Sequence, residues 1–75
     1  MFYYCESGCR NVITASTFAC SIQGGPFETF QQAKMCARHH FPDDEDYGIF
    51  EARADGIYRC DRDGVPSQRL QGERL

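Results

Sequence analysis

The chain has 75 residues, 41% of them apolar and 25% charged, which is the composition of one soluble globular domain. A domain this short buries only about 60% of the surface that its unfolded chain exposes, so there is no room for an elaborate pocket and each large apolar residue matters. Eight Lys and Arg against eleven Asp and Glu leave a net charge of -3, which disfavours non-specific attraction to phosphate backbones.

In chain order, residues 1–5 are short and aromatic and stop at Glu6-Ser7-Gly8, which predicts a strand and a tight loop. Residues 10–22 are rich in Val, Ile, Thr and Phe, so they read as a longer second strand with a bend near Ala15. A three-residue hairpin loop with Gly8 left-handed sets Cys5 opposite Cys9, Tyr4 opposite Arg10 and Phe2 opposite Val12. That register gathers Phe2, Tyr4, Val12, Phe18, Cys20 and Ile22 on a core face. Tyr3, Cys5, Cys9, Ile13, Ala15 and Thr17 fall on the other.

Gly24-Gly25-Pro26 is expected to stop this strand, and Thr29 followed by Gln32 is a capping-box signature that starts a helix. Phe30, Ala33, Ala37 and His40 form its apolar stripe, with Cys36 at the edge, and Pro42 ends it. Residues 47–53 and 57–63 flank Ala54-Asp55-Gly56, a second hairpin. A three-residue loop there pairs Phe50 with Cys60, Ala52 with Tyr58 and Glu51 with Arg59, which sorts the apolar set best. From Gly64 onward the chain reads as a mobile polar tail.

The fold expected is α+β: a single small ββαββ domain over residues 1–63, with an antiparallel sheet of about four strands and one helix on one face. The face away from the helix is then open to solvent or a partner, carrying Tyr3, Ile13, Ile49, Arg53, Ile57 and Arg59. That face is the first candidate surface, for a homodimer or a partner contact.

Five cysteines are an odd number, and Met1 leads into Phe2-Tyr3-Tyr4 with neither a basic segment nor a signal-type apolar run. Reduced thiols in a cytoplasmic protein are the expectation, with no membrane association. Cys5 and Cys9 are spaced to supply half of a tetrahedral zinc site, for which Cys36 and His39 are the weak second half. The register puts the two pairs on opposite sides of the sheet, so no metal or other cofactor is expected. A Cys5–Cys9 disulfide is a further alternative, and Cys20 and Cys60 read as small buried hydrophobes. His39 or His40 beside a cysteine raises a thiol nucleophile, but an orienting acid and an oxyanion pocket are missing, so no enzyme is expected.

Asp43-Asp44-Glu45-Asp46 is a run of four acids between helix and third strand, without the spacing of a calcium loop. Four adjacent like charges repel one another, and an arginine-rich partner relieves that cost, so this run with Tyr47 as an aromatic contact is the second candidate surface. It predicts a protein or ribonucleoprotein partner with a basic surface, and no direct nucleic-acid binding.

In size, charge and architecture, residues 1–63 resemble the small phage and mobile-element proteins that inhibit host defence, including anti-CRISPR proteins. No motif carries the likeness, so no residue role is transferred. The resemblance implies obstruction of a nucleic-acid-handling complex by acidic surface, in the host cytoplasm if the chain is phage-encoded. The alternative is a small zinc-binding accessory module or a thiol redox protein.

Overall fold

A computed structural model describes residues 1–6, 13–14 and 17–70 of the chain. The first strand, β1 (Phe2–Glu6), is aromatic and lies inside the sheet with a neighbour on each side. A single helical turn, α1 (Phe18–Ser21), leads into β2 (Ile22–Phe27), and the longer helix α2 (Phe30–His40) follows. A 3-10 turn (Asp44–Asp46) then enters β3 (Tyr47–Arg53), which is followed by β4 (Gly56–Cys60) and β5 (Pro66–Arg69). The five strands form one antiparallel sheet in the order β2-β1-β3-β4-β5, so the α+β single-domain class is as expected, with one strand more.

The capping box starts α2 as the sequence predicts. The Thr29 side chain accepts from the Gln32 amide at 3.1 Å, and the Gln32 side chain accepts from the Thr29 amide at 3.3 Å, so two of the helix's orphan donors are satisfied. Ala33 and Ala37 are fully buried, because only a methyl fits where the helix lies closest to the sheet. α2 packs mainly on β2, β1 and β3; on the same side of the sheet Cys60 of β4 is buried, whereas Tyr58 is half-buried and Arg69 of β5 is exposed.

Three expectations are corrected. The second strand does not stop at Gly24-Gly25-Pro26 but runs through them, while Phe18–Ser21, expected to be extended, is helical. β2 is an edge strand, where a proline forfeits no ladder bond, and the Tyr4 ring lies where a side chain on residue 24 would stand, so only glycine fits. β1 accordingly pairs Phe2 with Phe27, Tyr4 with Gly24 and Cys5 with Ile22. The expected partners Cys9, Arg10 and Val12, and the bend at Ala15, lie outside the described residues.

The second hairpin closes on a two-residue Ala54-Asp55 turn, with Arg53 opposite Gly56. Phe50 therefore faces Arg59 and Glu51 faces Tyr58, one residue away from the expected register. A slip of one exchanges the two faces, and Phe50 points away from α2. It is fully buried there because the far face is itself a core: Cys5, Phe18, Phe50 and Leu70 are buried together, with Tyr3, Ile13, Ile22 and Ile57 packed against them.

The third correction concerns the tail expected from Gly64. Residues 66–69 form β5, which pairs Tyr58 with Arg69 and Arg59 with Gln68, and Leu70 donates its amide to the Ile57 carbonyl at 2.8 Å. The sheet is thus covered on both sides, by α2 over a cluster of Tyr4, Ala33, Ala37, Tyr47, Ile49 and Cys60, and by α1 with its neighbours over the second cluster. The first four residues of β3 are all buried, the pattern of a strand enclosed on both faces.

Candidate functional site

The acidic turn is built locally. Asp43 accepts at Oδ1 from the Glu45 amide at 3.0 Å, and its carbonyl accepts from the Asp46 amide at 3.0 Å, which closes the 3-10 turn. Asp44 accepts from the Tyr47 hydroxyl at 3.0 Å, so the turn is also pinned to the first residue of β3. Tyr47 is buried and stacks on Phe41 with centroids 6.1 Å apart. Burial pushes its phenol pKa up, the Asp44 hydrogen bond and charge add to this, and the Arg38 charge opposes it. The expectation of Tyr47 as an exposed aromatic contact is therefore corrected: it anchors the loop. The carboxylates at 43 and 44 likewise serve the fold, one closing the turn and the other holding the Tyr47 hydroxyl.

A second acidic turn stands beside the first. Asp61 accepts at Oδ1 from the amides of Asp63 at 2.8 Å and Val65 at 3.0 Å, and this Asx geometry reverses the chain between β4 and β5. Both turns sit at the end of the sheet where β3 begins and β4 stops. A cleft of about 640 Å³ is lined by residues of both turns, Asp44, Glu45, Asp61 and Asp63, together with Tyr47, Ile49 and Cys60. Lys34, Arg59 and Arg62 line it as well, with Lys34 Nζ 5.7 Å from the Phe30 ring centroid. The sequence marks the run at 43–46 by its charge, whereas Asp61 and Asp63 fall at the end of an expected strand and do not stand out. Their convergence depends on a β4 register that the pattern misassigned.

The open sheet face is not one surface. Ile49 lies under α2 and is 5% exposed, and Tyr3 and Ile57 are half-buried in the second cluster. Arg59 is on that far side too, its guanidinium 5.5 Å from the Phe50 centroid. Of the six, Ile13 is also half-buried against the second cluster, and Arg53 alone is exposed, on the helix side, paired with Glu51 at 3.6 Å. The more open sheet surface is instead the part of the helix side around Tyr58 and Arg69, where Arg53 lies 5.9 Å over the Tyr58 ring.

The cysteines are equally dispersed. Cys5 is buried in the second cluster and Cys60 under the helix side, whereas Cys20, expected inside, and Cys36 are exposed. Burial pushes the Cys5 thiol up to about 11, against the Arg59 charge. Burial, with the Glu51 and Asp61 charges adding, pushes Cys60 up to about 11 as well. Both therefore stay protonated at neutral pH, which is the unreactive form of a thiol towards electrophiles. Of the weak zinc set, Cys36 and His39 are on the surface of α2 while Cys5 is enclosed, and Cys9 lies outside the described residues. Among the described residues, no three His, Cys, Asp or Glu side chains are grouped to hold a metal, and no helix is long and apolar enough to cross a membrane. Compared with protein-family models, curated proteins and solved structures, the chain matches none.

Proposed function

We propose that the chain is a non-enzymatic macromolecule-binding protein that blocks a nucleic-acid-handling complex by presenting carboxylates to a basic groove, as small phage-type inhibitors of the anti-CRISPR kind do. The observation that carries this reading is the convergence of two separate acidic turns on one cleft. Each turn is closed by its own first carboxylate, Asp43 in one and Asp61 in the other, so little ordering entropy remains to be lost on binding. Glu45 and Asp63 line the same cleft, so carboxylates from both turns are presented to one arginine-bearing partner surface. The cations nearby lower the net charge of this end, so steering is local and falls with salt.

The experiment is capture of a partner from host lysate, followed by competition. The reading expects the captured protein or ribonucleoprotein to handle nucleic acid through a basic surface. It also expects the chain to displace nucleic acid from that surface, and the Asp43→Asn, Asp44→Asn, Glu45→Gln, Asp46→Asn variant to lose that power at low salt. Displacement by the variant as efficient as by the parent contradicts it.

A further inference from the structure

The more open part of the sheet's helix side carries an aromatic ring between two guanidinium groups, Arg53, Tyr58 and Arg69. Tyr58 and Arg69 are cross-strand partners, so their side chains stand together on the same face. Arg53 reaches the ring from β3, 5.9 Å from its centroid. Two of the three are held in place by the hairpin tip: the Tyr58 hydroxyl donates to Asp55 Oδ2 at 3.1 Å, and Arg69 Nη2 donates to the Asp55 carbonyl at 2.8 Å. Gly56, at φ 151°, makes room for this. A Cβ there would stand 2.6 Å from Arg69 Nε, so any larger residue would push the guanidinium off the tip.

We propose that this platform binds single-stranded nucleic acid, with a base extending the Arg53–Tyr58 stack and the Arg69 guanidinium on an adjacent phosphate. An aromatic side chain on a sheet surface accepts any base through its π-face, and a guanidinium plane extends such a stack. Arg69 gives one donor to Asp55, which orients its fork, and a guanidinium carries further N–H donors for phosphate oxygens. The carboxylates nearby are engaged: Asp55 holds the tyrosine hydroxyl, and Glu51, 21% exposed, lies deeper than Arg53 at 50%. Arg53 therefore stands outside Glu51, and Arg69 and Asp55 are both exposed at the hairpin tip. The net charge of -3 does not decide the matter, because the acidic turns lie at the opposite end of β3. Seven residues of strand put them roughly 20 Å away, two Debye lengths or more at physiological salt.

This inference does not depend on the proposed function, although the two are compatible: a chain whose acidic end occupies a basic groove can touch the displaced strand with its other end. The test uses free nucleic acid, so the two readings fail separately. Fluorescence anisotropy of a labelled oligouridylate is measured against the native chain at low salt. The expected result is saturable binding whose logarithm falls with log salt at a slope of about -0.7, for the one phosphate that Arg69 neutralises. Tyr58→Ala is expected to weaken it about tenfold, Tyr58→Phe to leave it nearly unchanged, and Arg53→Ser with Arg69→Ser to abolish it. Both arginines are exposed, so the double variant remains informative if Tyr58→Ala does not fold, and far-ultraviolet circular dichroism of each variant verifies folding. No binding by the native chain overturns the proposal. Binding indifferent to the arginine pair, or lost equally to heparin with Tyr58→Ala folded and silent, overturns it too.

Discussion

Replacing Phe50 with Ala tests the two-core architecture at its centre. Phe50 is fully buried on the face away from α2, lies opposite Tyr3 in β1, and has the Phe18 ring 5.7 Å away and the Arg59 guanidinium at 5.5 Å. Removing a buried phenyl ring forfeits its transfer energy and leaves a cavity, together about 3 to 5 kcal/mol. A chain of 75 residues has roughly 4 to 11 kcal/mol to lose, so this one change consumes a large share of it. In urea, with a slope on the order of 1 kcal/mol/M for so small a domain, the midpoint falls by about 3 M or the variant is unfolded at the outset. Phe30→Ala, on α2, is the control. Phe30 is only half-buried, against Phe2 with centroids 6.4 Å apart, so its loss costs about half as much, contrary to the equal cost that a single core on the helix side implies. A double-mutant cycle of Phe18→Ala with Phe50→Ala adds a coupling of about 0.5 to 1.5 kcal/mol from the ring pair. If Phe50→Ala shifts the midpoint no more than Phe30→Ala does, the second core is wrong.

Thiol labelling at pH 8 in a Cys9→Ser background is expected to modify the exposed Cys20 and Cys36 quickly, and Cys5 and Cys60 only on unfolding; rapid labelling of all four, read by mass spectrometry, contradicts their burial. Because burial raises both buried thiols from 9.0 to about 11, the unfolded chain ionises first, so their contribution is complete below pH 9 and is lost as pH rises through 11; urea midpoints between pH 8 and 11 read the decline. Asp43→Ala removes the cap of the 3-10 turn and costs about 1 kcal/mol, whereas Asp43→Asn retains the acceptor and is nearly neutral; equal thermal stability of the two shows that the cap does not matter. Thr29→Ala breaks the capping box of α2 at a cost of about 1 kcal/mol, read by the same melts.

Those elements of the fold that announce themselves locally were legible in the sequence. Thr29 and Gln32 mark the start of α2, Pro42 follows its end, and Tyr47–Arg53 is a strand as its pattern says. What failed rested on the premise of a single core. Tyr4 and Cys5 are adjacent and both buried, as are Ile49 and Phe50, so alternation carries no information about which face is inside. The expected register of the second hairpin gathers apolar residues on one side, and a sheet covered on both sides has no such side. β2 crosses Gly24-Gly25-Pro26 because pairing with β1 outweighs local propensity, and β5 has no apolar alternation and owes its place to Tyr58, Arg59 and the Leu70 anchor. At the site, the run at 43–46 stands out by charge alone. Its pairing with Asp61 and Asp63 is a tertiary fact, set by where β4 ends against β3.

The central claim, that two pinned acidic turns steer the chain onto a basic partner, is tested most directly by the association rate with the captured partner at low ionic strength. The parent is compared with the Asp43→Asn, Asp44→Asn, Glu45→Gln, Asp46→Asn variant, in which the side-chain oxygen at position 43 still accepts the capping hydrogen bond. The account predicts association slowed about tenfold or more, dissociation changed little, and the difference closing as salt is raised. Equal association rates for the two at low salt contradict it.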